Sequence, residues 1–320
     1  MNREKIRFCN LTKSFGRRCL IFLFVALGFA MLLTASTASA MELKAMGSAS
    51  DDQSGIGAPG DSYTPKAITT GVAAGLYHSL FLKPDGALWA MGYNNDGQLG
   101  DGTTKTRSTS VQAATGVAQV AAGSVHSLFV KTDATLWAMG WNRDGQLGDG
   151  TTINRSTPVQ VAAGVAQIAA GGSYSLFVKT DGTLWAMGYN KYGQLGDGTT
   201  NTRSTPVKVA AGVAQVAGGC DHSLFVKTDG DLWAMGSNID GQLGDGTTDI
   251  RSTPVKVAAG VAQIAAGGSH SLFVKTDGTI WAMGSNYLGQ HGNGTITDRS
   301  TPWRIAIGVA QVAAETDPKK

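Results

Sequence analysis

The sequence predicts an all-β protein, a β-propeller of four-stranded blades with five full 48-residue repeats and a partial sixth blade built from both termini. The segment DGQLGDGTT, with small changes, begins at Asp96, Asp144, Tyr192, Asp240 and Leu288, in steps of 48 residues. The same step separates five tryptophans, at Trp89, Trp137, Trp185, Trp233 and Trp281. A fixed period of this size indicates a repeat architecture. We expect one propeller domain over residues 41–320, with full repeats at about 72–115, 116–163, 164–211, 212–259 and 260–307.

Each repeat contains four short strand-like runs, named A, B, C and D in chain order. In residues 261–306 they are VAQIAAG, HSLFVK, TIWAMG and STPWRIA. Asp277-Gly278 between the B and C runs predicts a tight hairpin, because glycine readily adopts the positive φ of such turns. The B and C runs carry continuous apolar stretches, 272–274 and 280–283, which point to both faces and indicate a sheet covered on both sides. Four such strands, covered on both sides and repeated, predict a propeller blade.

The two ends of the chain carry parts of a sixth blade. Leu43–Gly57 aligns with Leu88–Gly102 as a C strand and its loop, and Ser62–Ala67 resembles a D strand. Gly308–Ala314 repeats an A strand, and no B strand is found. We expect the ends to meet and close the ring. The alternative is that the chain is part of a larger propeller with an open edge.

The first 40 residues have the layout of a cleavable export signal. A basic start precedes the apolar run Leu20–Leu33, and the small-residue stretch ends at Ala38-Ser39-Ala40. This order is typical of a signal peptide cleaved after Ala40, and the apolar run is short for a membrane span. We therefore expect an exported protein, located in the periplasm, at the cell surface or outside the cell, with no membrane span after signal removal.

Removal of that signal changes the charge. Six of the 26 Lys and Arg and one of the 23 Asp and Glu lie in residues 1–40, so 20 basic and 22 acidic residues remain, a net charge of −2. The basic character of the whole chain therefore does not indicate nucleic-acid binding. Only Cys220 remains, so no disulfide within one chain is expected.

No catalytic residue, metal site or cofactor site is predicted, because no catalytic or phosphate-binding motif stands out. The DGQLGDGTT segment has oxygen ligands that calcium prefers, but its first Asp becomes Tyr192 or Leu288 in other copies. We interpret the segment as a series of tight turns, in which Gly adopts positive φ and Asp and Asn bond nearby backbone amides. Asp–Arg pairs such as Asp101 and Arg107 are interpreted as ion pairs that stabilise a loop or join two blades. The recurring His78, His126, His222 and His270, replaced once by Tyr174, are interpreted as structural residues, and the tryptophans as core between blades.

The repeats differ mainly in their A–B and C–D loops, which an antiparallel meander places on one face of the disc. Drift in solvated loops is one explanation. The other is a binding face, because exposed aromatic residues dominate protein interfaces. The candidate binding residues of this loop face are Tyr77, Tyr93, Trp141, Arg143, Tyr189, Tyr192 and Tyr287.

The segment GGSHSLFVKTDGTIWAMGSNYLGQHGNGT, followed by RSTP, resembles the repeat of the regulator-of-chromosome-condensation family. The resemblance covers residues 72–315 clearly and 43–71 faintly, and it implies a propeller, commonly of seven blades. Members include a nucleotide-exchange factor for a small GTPase that also binds chromatin. Others include an exported propeller that inhibits β-lactamases with its loops. The exchange factor depends on an insertion, whereas all five repeats here keep the 48-residue step.

These observations predict an exported, non-catalytic propeller scaffold that binds a protein partner through the A–B/C–D face. A glycan-binding, lectin-like propeller is the alternative, because Tyr93-Asn94, Trp141-Asn142 and Tyr189-Asn190 each place an amide beside an aromatic ring. A guanine-nucleotide-exchange-type regulator is the third hypothesis, which the missing insertion disfavours.

Overall fold

The computed structural model describes residues 43–47, 62–68, 70–309 and 311–314, with side chains from residue 71 onward. All regular structure in this part of the chain is β-strand. A first pair consists of β1 (Leu43–Gly47) and β2 (Ser62–Ile68). Twenty further strands form five four-stranded sheets, blades one to five.

The strands of each blade follow in chain order as A, B, C and D. The A strands are β3 (Thr70–Ala74), β7 (Val117–Ala122), β11 (Val165–Ala170), β15 (Val213–Gly218) and β19 (Val261–Ala266). The B strands are β4 (His78–Leu82), β8 (His126–Lys131), β12 (Tyr174–Lys179), β16 (His222–Lys227) and β20 (His270–Lys275). The C strands are β5 (Leu88–Gly92), β9 (Leu136–Gly140), β13 (Leu184–Gly188), β17 (Leu232–Gly236) and β21 (Ile280–Gly284). The D strands are β6 (Arg107–Ala114), β10 (Arg155–Ala162), β14 (Arg203–Ala210), β18 (Arg251–Ala258) and β22 (Arg299–Ala306).

Every blade is an antiparallel meander, which confirms the predicted strand order. The B–C hairpin turns where the Asp-Gly pattern predicts it: Gly182 has φ of +76° and its N–H donates to the Lys179 carbonyl at 2.9 Å. In blade two Ala134 replaces this glycine and keeps a φ of +62°. The turn geometry therefore persists even where the residue that favours it is lost.

The A strands of consecutive blades contact each other, so they lie innermost. Glutamine side chains join them across the blade boundary. Gln119 Nε2 donates to the Ala166 carbonyl at 2.7 Å, and Gln215 Nε2 donates to the Ala262 carbonyl at 2.6 Å. The D strands contain no buried residue and therefore form the outer side of each blade.

The hydrophobic core lies between blades rather than within them. Leu128 and Leu136 of blade two pack in one cluster with Phe177 and Met187 of blade three, and Trp185 packs against that cluster. Trp185 also stacks on Phe177, with ring centroids 6.3 Å apart. Equivalent clusters join the other consecutive blades. The predicted role of the tryptophans as core between blades is confirmed for Trp137, Trp185, Trp233 and Trp281, whereas Trp89 of blade one joins none of these clusters.

The sixth blade is only partly as predicted. β1 and β2 pair as the expected C and D strands. The expected A strand is wrong for the residues described, because 308–309 and 311–314 contain no strand. A strand requires a hydrogen-bonded neighbour, and the residues that the structure describes supply no B strand at this place. Val309 N–H nevertheless donates to the Gly278 carbonyl at 3.1 Å, as Val261 N–H does to Gly230 in the preceding blade. The predicted export signal, residues 1–40, lies outside the described residues, and closure of the ring stays a prediction.

Candidate binding face

The A–B and C–D loops of each blade are joined by a backbone hydrogen bond. The first residue of the C–D loop donates its N–H to the carbonyl of the residue that precedes strand B. In blade one Tyr93 N–H donates to Tyr77 at 2.8 Å, and in blade two Trp141 N–H donates to Val125 at 3.0 Å. The bond recurs in the other three blades. Both variable loops therefore lie at the same end of every blade, as the meander predicts.

A buried asparagine organises each C–D loop. Asn142 Nδ2 donates to Asp149 Oδ1 and to the carbonyls of Thr151 and Ile153, each at 3.1 Å. Its Oδ1 accepts the Leu147 N–H at 3.0 Å. Both the amide nitrogen and the amide oxygen of this side chain are therefore hydrogen-bonded inside the loop.

The aspartate of the same loop accepts hydrogen bonds from Thr151 and Arg155 in addition to the one from Asn142. Asp149 Oδ1 accepts the N–H and hydroxyl of Thr151, and Arg155 Nε donates to Asp149 Oδ2 at 2.7 Å. Burial alone would raise the pKa of Asp149, but the bonds from Thr151 and Arg155 outweigh it and hold the pKa below its ordinary value. The interpretation of DGQLGDGTT as turn chemistry is confirmed, and the Asp–Arg pairs are braces within one loop.

The loop glycines press against the next blade. A Cβ placed on Gly148 would lie 2.6 Å from Met187 Sδ, and one on Gly145 would lie 2.5 Å from Ser204 Cα. Gly150 N–H donates to the Ser204 carbonyl at 2.9 Å. The C–D loops of blades one to four are thus fixed by their own hydrogen bonds and by the neighbouring blade, so this part of the face is rigid.

The recurring histidines form a second connection between blades. His78 Nε2 lies 2.8 Å from Ser127 Oγ, and Ser127 Oγ donates to the Gln98 carbonyl at 2.7 Å. Because the single serine proton goes to that carbonyl, His78 Nε2–H is the donor to the serine. Burial lowers the pKa of His78 to about 3. A neutral histidine in this place positions the loop, and His126 and His222 make the same contact with Ser175 and Ser271, which confirms the structural interpretation for these three histidines.

Aromatic side chains from two blades line a cavity of about 390 Å³ on this face. Its walls are Tyr77, Tyr93, Asp96, Val125 and Trp141. The Tyr77 and Tyr93 rings meet edge to face, with centroids 6.1 Å apart, and Tyr77 is 38% exposed. The cavity is mainly apolar, with one carboxylate at its edge, and it is large enough for one side chain of a partner.

A second aromatic pair continues the face into blade three. Tyr189 and Tyr192 meet edge to face at 6.3 Å. Between the two groups, Trp141 donates a hydrogen bond to Asp144 and the guanidinium of Arg143 lies 5.1 Å from the Trp141 ring. The charge of Asp144 also acts on Tyr189, whose pKa is raised mainly by burial. Six of the seven predicted binding residues therefore form one strip, defined here as Tyr77, Tyr93, Trp141, Arg143, Tyr189 and Tyr192.

Carboxylates on this face have altered acidity. Burial raises the pKa of Asp96 despite the nearby Arg143 charge and the hydrogen bond from Asn154. Burial also raises the pKa of Asp221, which accepts a hydrogen bond from Gln194 Nε2 at 3.1 Å.

Within the described residues, no group of three His, Cys, Asp or Glu side chains is placed to hold a metal ion. The same part of the chain contains no helix long and apolar enough to span a membrane.

Two models of the regulator of chromosome condensation (RCC1) repeat match the chain. One matches residues 85–130, 133–178, 181–226 and 229–274, and the other matches 70–98, 117–146, 165–194, 213–242 and 261–290. The chain belongs to the RCC1 repeat family. No curated protein sequence matches it.

Solved structures show the same RCC1 fold. Human WBSCR16 is 26% identical over 85% of this chain and 78% of its own, with a TM-score of 0.74. Yeast RCC1 (Prp20), crystallised with Kap60, is 21% identical over 92% of this chain and 83% of its own, with a TM-score of 0.71. Prp20p from Saccharomyces cerevisiae, described with its binding to Gsp1p and histones, is 20% identical over 87% of this chain and 90% of its own, with a TM-score of 0.57. At these identities the yeast structures show the shared fold alone.

The structure also separates one predicted residue of this RCC1-repeat protein from the rest. Tyr287 is 45% exposed in the C–D loop of blade five, two blades beyond Tyr189, and it does not line the cavity. Three residues beside the strip were not predicted: Asp96 and Val125 line the cavity, and Asp144 accepts the hydrogen bond from Trp141. Asp96 and Asp144 are part of the repeated loop motif, and repetition marks a residue as structural rather than as a contact for a partner.

Proposed function

We propose that this RCC1-repeat protein is an exported, non-catalytic propeller scaffold that binds a protein partner through the A–B/C–D loop face. The observation that carries the proposal is the strip across blades one to three, in which aromatic side chains are presented on rigid loops. A rigid surface loses little conformational entropy on binding, and aromatic anchors commonly supply most of the affinity of an interface.

The cavity beside Trp141 supplies the centre of the proposed interface. It joins the A–B loops of blades one and two to their C–D loops, so a partner side chain seated there would contact four loops at once. Trp141 is half-buried, with Arg143 near its ring and Asp144 accepting its hydrogen bond. These supports keep the indole in one orientation, which favours recognition of a folded partner.

The glycan alternative was suggested by an asparagine amide beside each aromatic ring, and the structure does not offer these amides to a ligand. Asn94, Asn142 and Asn190 are fully buried, and their amides bond groups of their own loops. A sugar stacked on the adjacent ring would therefore find no free asparagine amide. The exported location remains part of the proposal, supported by the signal-like residues 1–40.

Capture of a partner by the purified protein, followed by variants, tests this function. The double variant Trp141→Ala with Tyr189→Ala should lose at least about tenfold in partner affinity, because both anchors are removed. The melting temperature should change little, since both rings are only half-buried. Binding that survives at full affinity would contradict the proposal.

A matched control uses exposed apolar residues of the same face outside the strip. Ile239→Ala with Tyr287→Ala removes a comparable apolar area from blades four and five and should leave affinity unchanged. A glycan array provides the second arm: defined sugar signals would favour the lectin hypothesis instead. Sequencing the N-terminus of the secreted or periplasmic protein tests export, and a chain that still begins at Met1 would contradict it.

A further inference from the structure

The cavity beside Trp141 combines aromatic rings with a carboxylate. Tyr77, Tyr93, Val125 and Trp141 form its apolar walls, and Asp96 stands at its edge. The planes of the two tyrosine rings are inclined by 68°, so the rings form two adjoining walls rather than one flat surface. The face of an aromatic ring carries partial negative charge and attracts cations. Three aromatic rings and one carboxylate around a common space therefore have the chemistry of a cation site.

The carboxylate of Asp96 is held in place but not neutralised. Asn154 Nδ2, from the C–D loop of blade two, donates to Asp96 Oδ1 at 3.1 Å. Among the described residues Asp96 forms no ion pair with a lysine or an arginine. Burial disfavours the ionised form and raises the pKa of Asp96. A cation seated in the cavity would stabilise the ionised form, and this stabilisation would contribute to the binding of that cation.

The guanidinium of Arg143 lies near the cavity but does not fill it. It lies 5.1 Å from the Trp141 ring, yet Arg143 is not among the residues that line the cavity. Arg143 instead lines a separate surface cavity of about 460 Å³. Asp144 accepts a hydrogen bond from Trp141 and brings a second negative charge to the ring. Asp96 and Asp144 together carry two negative charges against the one positive charge of Arg143, so the local field favours a cation.

A cationic guest suits the cavity better than a neutral or an acidic one. A neutral apolar side chain would displace water from Asp96 without supplying a counter-charge, which is unfavourable for an ionised carboxylate. An acidic side chain would be repelled by Asp96 and Asp144. Lysine and arginine combine an aliphatic stem, which packs on apolar walls, with a charged end that binds aromatic rings and carboxylates. The observations therefore favour a basic side chain.

We propose that this cavity binds the cationic side chain of a lysine or arginine of the protein partner. The aliphatic stem lies against Val125 and the tyrosine rings, and the charged end lies between Trp141 and Asp96. The inference rests on the proposed function, because it names the chemistry by which that partner is recognised. The partner is thus a protein that presents a basic side chain at the centre of its contact surface.

Small probes test the cavity without the partner. N-acetyl-lysine methylamide and N-acetyl-arginine methylamide carry the cation, whereas N-acetyl-norleucine methylamide lacks the ammonium group of the lysine probe. Titrations of the full chain, followed by NMR through the Trp141 indole N–H, should show the better cationic probe binding at least about fivefold more tightly than the norleucine probe. Equal affinities, or no shift with either cationic probe, would overturn the proposal.

Three variants separate the carboxylate from the rings. Asp96→Asn keeps the size of the side chain and an oxygen for Asn154, and it should weaken the cationic probe at least about threefold while leaving the norleucine probe unchanged. Tyr77→Leu keeps an apolar wall but removes one ring, and it should also weaken only the cationic probe. Asp240→Asn changes the same motif position in blade four, away from the cavity, and is the control. An effect of Asp240→Asn as large as that of Asp96→Asn would overturn the local site.

The remaining arms assign the source of the cation. Choline bound more than about tenfold more tightly than either side-chain probe would assign the cavity to a free quaternary cation and overturn the assignment to a partner side chain. With the captured partner, Asp96→Asn should lower the affinity at least about fivefold, and Asp240→Asn should not. Probes without cation selectivity contradict only this inference, whereas partner capture that survives Trp141→Ala with Tyr189→Ala contradicts the proposed function.

Discussion

The imidazole Nε2 of His126 lies 2.9 Å from Ser175 Oγ, a residue 49 positions further along the chain and in the next blade. Ser175 Oγ in turn donates to the carbonyl of Gln146, in the C–D loop of the histidine's own blade, at 2.8 Å. One serine thus joins a histidine and a loop of one blade to the strand of the next. In blade three Tyr174 replaces the histidine, and its hydroxyl donates to the carbonyl of His222 in blade four.

These histidines make the protein sensitive to mild acid. Burial lowers the pKa of His126 to about 4 and that of His78 and His222 to about 3, from 6.5. The unfolded chain therefore binds more protons below pH 6.5, so stability is full above pH 6.5 and falls as the pH drops toward 4. The expected slope is on the order of 1 kcal/mol per pH unit for each histidine. Urea unfolding between pH 7.5 and 5 measures it. His126→Tyr introduces the residue that blade three has at this position, Tyr174, and should lower the slope by the contribution of one histidine. A slope that does not change would show that the histidines do not cause the loss of stability.

Two glycines of one loop should differ in their tolerance of a methyl group. Gly148 and Gly150 have φ of +75° and +81°, so alanine costs on the order of 1–2 kcal/mol of backbone strain at either. At Gly148 the new Cβ would lie 2.6 Å from Met187 Sδ, whereas at Gly150 the nearest atom is 3.8 Å away. Gly148→Ala should therefore cost roughly 1–3 kcal/mol more in the free energy of unfolding. Equal losses in denaturant titrations would show that the blade contact adjusts freely.

The Asp–Arg brace should contribute modestly and only above acidic pH. Arg251 Nε lies 2.7 Å from Asp245 Oδ2, and Asn293 stands at the aspartate position in blade five. Burial alone would raise the pKa of Asp245, but hydrogen bonds from Thr247 and Arg251 outweigh it and lower the pKa. The ionised Asp245 therefore stabilises the folded protein fully above the ordinary aspartate pKa, and this contribution is lost as the pH falls through the lowered value. Asp245→Asn should cost about 1 kcal/mol at pH 7 and flatten the stability profile below pH 4. The exposed Asp249→Asn is the control; a similar effect there would reject the brace.

The tryptophan between blades should matter far more to stability than the tryptophan of the loop face. Trp185 packs on the core between blades two and three and stacks on Phe177. Trp185→Ala should therefore cost on the order of 3–5 kcal/mol. Trp141→Ala, which removes a half-buried ring at the surface, should cost less than about 1 kcal/mol. Chemical unfolding of both variants measures the difference, and comparable costs would mean that Trp141 belongs to the core.

The repeats made the fold unusually easy to predict. Five near-copies identified the strands, the Asp-Gly hairpins and the face shared by the variable loops, because these follow from short-range patterns. The predicted A strand at Gly308–Ala314 was wrong for the described residues, because a strand needs a neighbour that local sequence cannot supply. The histidines were recognised as structural, but not their serine partners. Those partners lie one full repeat away, and no local spacing relates them.

The sequence by itself determined the blade unit, the number of full blades and the end of the disc at which variation collects, since periodicity and turn chemistry depend only on near neighbours in the chain. Tertiary structure alone decided which side chains meet. It grouped Tyr77, Tyr93 and Trp141 around one cavity, separated Tyr287 from them, and turned the Asn142 amide inward. The physical reason is that these contacts form between different loops and across blade boundaries, where side-chain direction and the identity of the following blade matter more than the order of residues.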